Sequence, residues 1–485
     1  MKIKWDTISR LLFYTMLSLF LFLGGTALYL GALQDKEHLY ALGLAILACL
    51  DFCVFMPPIA RWLNGLGTCM CWLLLTLFCF MIKLAWVLYV QVPIDGDYWV
   101  FWTVANDLAQ NREIHNRYVA LFPHIFGYSN FLSFFLSKLG SVPLLPQVLN
   151  IILTLCSGTA LFFLCRKWCS PESGIAAYLL WALCPSQTIY NGLILSEPLY
   201  TALLLAFFLV VTCVGDFGPG KRRPVFIGAV TGCFCGLLLR SIQIIRPIAA
   251  VPLIALALWL ILLSVELSDC PKRKLWLPLL VLTVVVYSVT GPLWQTYMAV
   301  RLGEEPSSTP GYSILVGFNT SSNGRWNQED SERLYAYNDH PGITAEEVQC
   351  ALLRDAKERI VDERRSIPNL MVQKLRIFLG SDHACVGYSR AILRHTSWFS
   401  WLCNGFYYAI LCLAVLGVIR IWKSGANSTI LLAPLFILGL TLAQMLVEVA
   451  GRYHYSMIPM FIILAAASLS FRADVLKASC GSVHD

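Results

Sequence analysis

The sequence predicts an all-α polytopic membrane protein with about twelve transmembrane helices, and three observations carry that prediction. First, 58% of the 485 residues are hydrophobic and only 13% charged, with a mean hydropathy of +0.66. Soluble domains hold about 45–50% apolar and about 25% charged residues, so the excess apolar surface needs a bilayer as solvent. Second, stretches long enough to cross a hydrocarbon core as helices, about 17 to 25 residues, recur along the chain. Lipid tolerates only helices or closed barrels, because every backbone polar group needs an internal partner there. Third, the net charge of +7 resides in basic residues clustered in short loops between those stretches. Such clusters mark membrane topology rather than nucleic-acid binding.

The expected spans cover 11–33, 39–58, 68–92, 145–165, 174–190, 194–214, 224–240, 247–265, 275–298, 398–420, 428–448 and 455–471. A signal peptide competes for the first, but its apolar run exceeds the usual core of about 7 to 15 residues and no convincing cleavage site follows, so it reads as an uncleaved anchor. Lys2, Lys4 and Arg10 place the amino end in the cytoplasm, which puts Asp95 outside three spans later. The stretch 125–140 is apolar but short for a crossing. As a helix lying on the outer surface it keeps Arg166-Lys167, Lys221-Arg222-Arg223, Lys272-Arg273-Lys274, Arg420, Lys423, Arg472 and Lys477 cytoplasmic. The stretch 98–111 fits the same role, since Tyr98, Trp99, Phe101 and Trp102 suit the headgroup zone.

A hydrophilic insert, about 299–397, follows the ninth span and is too long for a plain connection. Its first part is turn-rich, from Gly317 to Asn327. Thr344 and Glu347 then form a capping box ahead of Val348, Leu352, Ala356 and Ile360 at helical spacing, and a second helix carries Lys374 and Arg376 back toward the membrane. Most of the 18 cysteines, such as Cys49, Cys79, Cys156, Cys233 and Cys235, sit within spans as small core residues, while Cys350 and Cys385 fall outside and could pair. Asn319-Thr320-Ser321 and Asn427-Ser428-Thr429 match glycosylation sequons.

With the sides assigned, Asp95, Asp97, Glu197, Arg240, Arg246 and Arg452 share the outer face. A carboxylate beside a bilayer must be solvated or paired, so two with one glycine between them need a reason. One reason is general-base catalysis, with an ionised Asp taking a proton from an attacking hydroxyl; the other is a polar turn leaving a helix, where Asp-Gly is common. Glu197, after Ser196 and before Pro198, equally suits a helix amino terminus. Arg240, Arg246 and Arg452-Tyr453 lie where guanidinium groups neutralise an anion, be it a protein carboxylate, a lipid headgroup or a substrate phosphate. His124 is a further phosphate-binding candidate or a surface residue. No zinc motif, Walker loop, glycine-rich nucleotide fingerprint or nucleophile elbow stands out, so any leaving group arrives on a lipid.

These residues resemble the GT-C superfamily of integral membrane glycosyltransferases, in particular the branch of protein O-mannosyltransferases and the aminoarabinose transferase acting on lipid A. The similarity lies in Asp97-Tyr98, Phe101-Trp102 and Ala105 opening the first outer loop, and in Pro123, Gly127-Tyr128 and Lys138-Leu139-Gly140 around the second surface helix. Ser196-Glu197-Pro198, Arg246-Pro247 and the closing Arg452-Tyr453 with Pro459 complete it, over about residues 68–471. The resemblance implies Asp97 as catalytic base with Asp95 as a supporting acid, and a polyprenyl-phosphate sugar donor with its tail between spans. Arg240, Arg246, Arg452, or Lys374 and Arg376 of the insert, would offset the phosphate charge. It further implies two additional helices in 1–67, a core in 68–298 with its first outer loop at 93–144, the insert at 299–397, closing helices in 398–471 and a cytoplasmic tail at 472–485. No cofactor is required; an Asp pair can hold a divalent cation, and some relatives work without one. Departures are a basic residue after the acidic pair, with no equivalent before Arg112, and a lysine replaced by the neighbourhood of His124.

The function implied is transfer of a sugar from a polyprenyl-phosphate carrier to an extracytoplasmic acceptor at the cell membrane. The alternative is a lipid or lipid-linked-sugar transporter, for which Lys83 and Glu448 are the ionisable residues well inside a span. An Asp97 close to Arg246 or Arg452 favours the transferase; a polar channel through the bilayer centre favours transport.

Overall fold

The computed structural model describes residues 2–31, 36–114, 116–215, 223–263, 267, 270–424 and 428–470. Asn427, Lys221, Arg222, Arg472, Lys477 and the tail expected at 472–485 lie outside them. Among the described residues the chain is helical without strands.

Three long apolar helices open the chain: α1 (Lys2–Tyr29), α2 (Lys36–Gly65) and α3 (Thr68–Tyr89). Three shorter ones follow, α4 (Asp97–Ala109), α5 (Arg117–Leu121) and α6 (His124–Leu139). The bundle continues with α7 (Leu144–Trp168), α8 (Pro171–Leu183), α9 (Pro185–Tyr190), α10 (Glu197–Val214), α11 (Pro224–Ile245), α12 (Ala250–Leu258) and α13 (Cys270–Leu302). The insert holds α14 (Gly311–Gly317), α15 (Gln328–Asn338), α16 (Ala345–Asp362), α17 (Ile367–Leu379) and α18 (Ala384–Ser389). The chain closes on α19 (Thr396–Ser424), α20 (Leu432–Met445) and α21 (Ile458–Ala467).

Nine helices among the described residues are long and apolar enough to cross a bilayer, which makes this a multi-pass membrane protein. The other three expected spans are shorter for identifiable reasons. The stretch 174–190 breaks at Cys184, whose extended backbone (ψ 115°) precedes Pro185, because a residue before proline is pushed out of the helical region. The stretch 247–265 becomes α12 followed by a π turn, Trp259–Leu263. The last opens as a 3-10 turn, Gly451–Met457, and becomes α-helical only at Ile458 beside Pro459. All ten residues of α21 are buried, so its uninterrupted hydrophobicity reflects packing on every side.

Close helix approach shapes the bundle around the site. Gly228, Gly232 and Gly236 let α11 lie against α13, where a Cβ on Gly236 would sit 2.8 Å from the Val286 Cβ. Gly127 lets α6 cross the end of α11: a Cβ there would run into the Ile244 carbonyl oxygen. At about 1.5 Å per residue, the 33 residues of α13 reach roughly 50 Å, enough to carry the chain from the bundle into the insert. Lys83 is buried, and its ammonium donates to the Ala182 carbonyl at 2.9 Å and to Thr188 Oγ1 at 2.6 Å. That cation ties α3 to the α8–α9 break.

The insert packs on the segment before α6. Arg117 pairs with Glu304 and donates to Asn338 Oδ1 at 3.0 Å and to the Ile343 carbonyl at 2.7 Å. The Gln349 amide reaches the Leu121 carbonyl at 3.1 Å. Within the insert, buried Asp330 accepts from Arg359 at 2.8 Å, and the Thr344–Glu347 capping box forms with both of its bonds. Cys350 is exposed and Cys385 buried, and both are free thiols, so the pairing that sequence allowed does not form.

Candidate functional site

The acidic pair divides at Gly96. Its φ of 56° is a conformation that glycine adopts without strain, and it turns the extended chain after α3 into the first turn of α4. Asp95 Oδ1 accepts from the Gly96 N–H at 2.7 Å, which makes Asp95 the residue of the turn. Asp97 is the first residue of α4, and its carboxylate projects into a cleft of about 1320 Å³.

That cleft is lined by Asp97, His124, Arg240, Arg246, Arg452 and Tyr453 together. Arg452 Nη1 lies 2.9 Å from Asp97 Oδ2, with the arginine side chain 14% exposed and the aspartate 54%. The approach is an ion pair without the alignment of a hydrogen bond, and Arg452 Nε and Nη1 have no hydrogen-bond partner among the described residues. Arg246, at the end of α11, donates to Glu197 Oε1 at 2.7 Å. Glu197 is fully buried at the start of α10 and is the anchor of Arg246 rather than a wall of the cleft. The Tyr453 ring lies 5.2 Å from the Arg246 guanidinium and 5.6 Å from that of Arg452, so its π-face attracts both cations.

Arg240 differs. It donates to the Tyr287 carbonyl, approaches Thr290 Oγ1 at 3.4 Å and lies 4.4 Å from the Tyr287 ring. All of these partners are neutral. Gly291 makes room for it, since a Cβ there would lie 2.7 Å from Arg240 Nη2.

His124 is held neutral: burial first, then Arg246 and Arg452, push its pKa down to about 3. It therefore offers a neutral ring nitrogen rather than a positive charge. Lys374 and Arg376 stand away from the cleft lining. The Lys374 ammonium is enclosed by the carbonyls of Gly317 (2.9 Å), Met445 (2.8 Å) and Val447 (2.7 Å). Arg376 stacks 5.1 Å from the Tyr29 ring. Asp97 faces a guanidinium and Asp95 its neighbour's N–H. No group of three or more His, Cys, Asp or Glu among the described residues could hold a metal ion.

No protein-family model matches the sequence, and no curated protein does. Solved structures do. The chain is similar to the oligosaccharyltransferase of Archaeoglobus fulgidus tethered to an acceptor peptide containing the NVT sequon, at TM-score 0.51 and 11% identity over 84% of this chain and 50% of that one. The likeness is one of fold. The oligosaccharyltransferase AglB of the same organism, in complex with an inhibitory peptide and a dolichol-phosphate, gives 0.48 at 12% identity, covering 85% and 52%. ArnT from Cupriavidus metallidurans bound to undecaprenyl phosphate gives 0.31 at 9% identity, covering 84% and 79%. The chain thus spans about half the length of the oligosaccharyltransferases it resembles.

Several residues of this cleft carry no signal in the sequence. Tyr118, Arg325, Trp326 and Tyr388 come from loops and short helices and carry no periodic signal. Glu448 did carry one, as a charge inside an apolar run; it proves to follow α20 and to line the cleft.

Proposed function

We propose that this protein is a membrane glycosyltransferase that moves a sugar from a polyprenyl-phosphate carrier to an acceptor on the extracytoplasmic side. The observation that carries the reading is Asp97 2.9 Å from Arg452 in one cleft with Arg240 and Arg246, whose guanidinium groups retain unpaired or neutrally partnered N–H donors. The GT-C fold supports the reaction class; the sequence resemblance supports the lipid-phosphate donor and the outward-facing site, with both termini in the cytoplasm. In this reading the two helices before residue 68 are additions to a core over 68–298, and the insert at 299–397 roofs the cleft.

The acceptor hydroxyl attacks the anomeric carbon from the side opposite the phosphate while Asp97 takes its proton. The bond between that carbon and the phosphate oxygen breaks, its electron pair leaves as polyprenyl phosphate, and the sugar is transferred with inversion. The charge growing on the leaving oxygen is stabilised by donors already in place, the effect that preorganised sites exploit most. Arg240 suits the resting phosphate, because carboxylates hold the other two arginines, Glu197 for Arg246 and Asp97 for Arg452. Asp95 supports Asp97 by shaping the turn that presents it.

Membranes containing the protein, given labelled lipid-linked sugars, transfer label to an acceptor fraction. Asp97→Asn lowers that rate by about 10²–10⁴-fold, the range for loss of a general base, at unchanged protein level. Unchanged transfer removes Asp97 from the role of base.

A further inference from the structure

One carboxylate of the cleft has no place in the chemistry just described. Glu448 lies in the short loop between α20 and the closing 3-10 turn, and it faces the same cleft as Asp97, Arg246 and Arg452. Among the described residues its side chain has one hydrogen-bond partner, the Tyr453 hydroxyl, which donates to Oε1 at 3.3 Å. Oε2 has none. Burial, ahead of the opposing pull of Arg452, raises its pKa above the ordinary range, and Asp97 adds to the rise.

The loop around Glu448 is fixed from several sides. Its own N–H donates to the Ser313 carbonyl at 2.7 Å, and the Val449 N–H donates to the Gly324 carbonyl at 2.8 Å. The Gln444 amide donates to the Glu448 carbonyl. The buried Lys374 ammonium bridges Met445 and Val447 to Gly317 of α14. Gly317 has no room for a Cβ against Val447, so insert and loop form one packed unit. A buried ammonium with all three N–H groups directed at carbonyls explains why this loop keeps its shape without regular structure. The outcome is a carboxylate held at a fixed point in the cleft, attached to Arg452 through only three intervening residues.

A fixed carboxylate beside a phosphate-binding site repels the phosphate and attracts hydrogen-bond donors. A sugar ring presents such donors on neighbouring carbons, and two carboxylate oxygens can accept from two of them. We propose that Glu448 binds hydroxyl groups of the transferred sugar and so contributes to selecting it, an inference that rests on the transferase reading above. Tyr453 is its positioning residue: its hydroxyl orients Oε1 while its ring faces Arg246 and Arg452, which ties recognition of the sugar to the placement of those two cations.

The test compares bare polyprenyl phosphate with a panel of polyprenyl-phosphate hexoses and an amino-pentose, measuring their affinities for the purified full-length protein in nanodiscs. Wild type binds at least one sugar-bearing lipid more tightly than bare polyprenyl phosphate. Glu448→Gln, which keeps the shape of the side chain, loses about tenfold of that increment, the scale of a hydrogen bond to a charged group. It does not weaken binding of bare polyprenyl phosphate, from which it removes a repelling charge, and it leaves the unliganded melting temperature unchanged, while Glu448→Asp recovers part of the loss. An increment that persists in Glu448→Gln overturns the sugar contact, as does an equal loss for bare polyprenyl phosphate, which would place the effect at Arg452. If wild type binds no polyprenyl phosphate at all, the donor assignment itself falls, and the sugar contact with it.

Discussion

Glu197→Gln perturbs the buried pair that holds Arg246 in the cleft. The carboxylate is 0% exposed and the guanidinium 17%, with 2.7 Å between Nη2 and Oε1. Removing one partner of a buried ion pair costs about 3–5 kcal/mol, because the remaining charge stays desolvated. Arg246 keeps part of its surface in the open cleft and glutamine keeps a carbonyl acceptor, so the lower end, about 3 kcal/mol, is expected. Thermal or chaotrope unfolding of the protein in nanodiscs measures it, where unfolding is reversible enough to give a free energy. Arg246→Met alone leaves Glu197 buried and unpaired and costs a similar amount. The double variant Glu197→Gln/Arg246→Met is more stable than the sum of the singles predicts, with a coupling of about 1–3 kcal/mol. Losses below about 1 kcal/mol for Glu197→Gln, or strictly additive singles, refute the claim that this pair is buried and structural.

Two further outcomes follow from the same geometry. Arg240→Gln removes a cation whose protein partners are neutral, so the melting temperature stays near wild type while affinity for polyprenyl phosphate falls about 10- to 100-fold, the range for a hydrogen bond to an anion; isothermal titration or a competition assay reads it. His124 takes up a proton near pH 3 in the native protein, whereas an unfolded histidine does so near about 6.5. The unfolded state therefore binds more protons across that window, and stability at this residue falls as pH drops from about 6.5 toward 3. His124→Gln removes that contribution and flattens melting temperature against pH there, while transfer above pH 6.5 shows no ionisation that disappears with His124.

Much of the architecture is legible in the sequence because a bilayer writes it in long apolar runs. Nine of the twelve expected spans became helices of crossing length. Of the remaining three, α21 is apolar because protein surrounds it, and hydropathy does not separate lipid from neighbouring side chains. Proline at 185 and 459 marked two of those breaks. At the site, the side assignment brought Asp97, Arg240, Arg246 and Arg452 into one group, and the structure puts all four on one cleft. The separate fates of Asp95 and Asp97 depend on the φ of Gly96, a tertiary choice that Asp-Gly-Asp does not reveal. A lysine beside a membrane reads as an anion ligand, as Lys374 does; only the fold brings the Gly317, Met445 and Val447 carbonyls around it. The sequence leaves the cation opposite Asp97 open among Arg240, Arg246, Arg452, Lys374 and Arg376; the fold brings α4 to the turn carrying Arg452.

A structure of the protein in nanodiscs with a bound polyprenyl-phosphate sugar tests the transferase reading most directly. The phosphate is expected within about 3 Å of a guanidinium nitrogen of Arg240, with the anomeric carbon turned toward Asp97. A phosphate bound away from this cleft, or a lipid threaded through the bundle centre past Lys83, contradicts it and returns the protein to the transporter alternative.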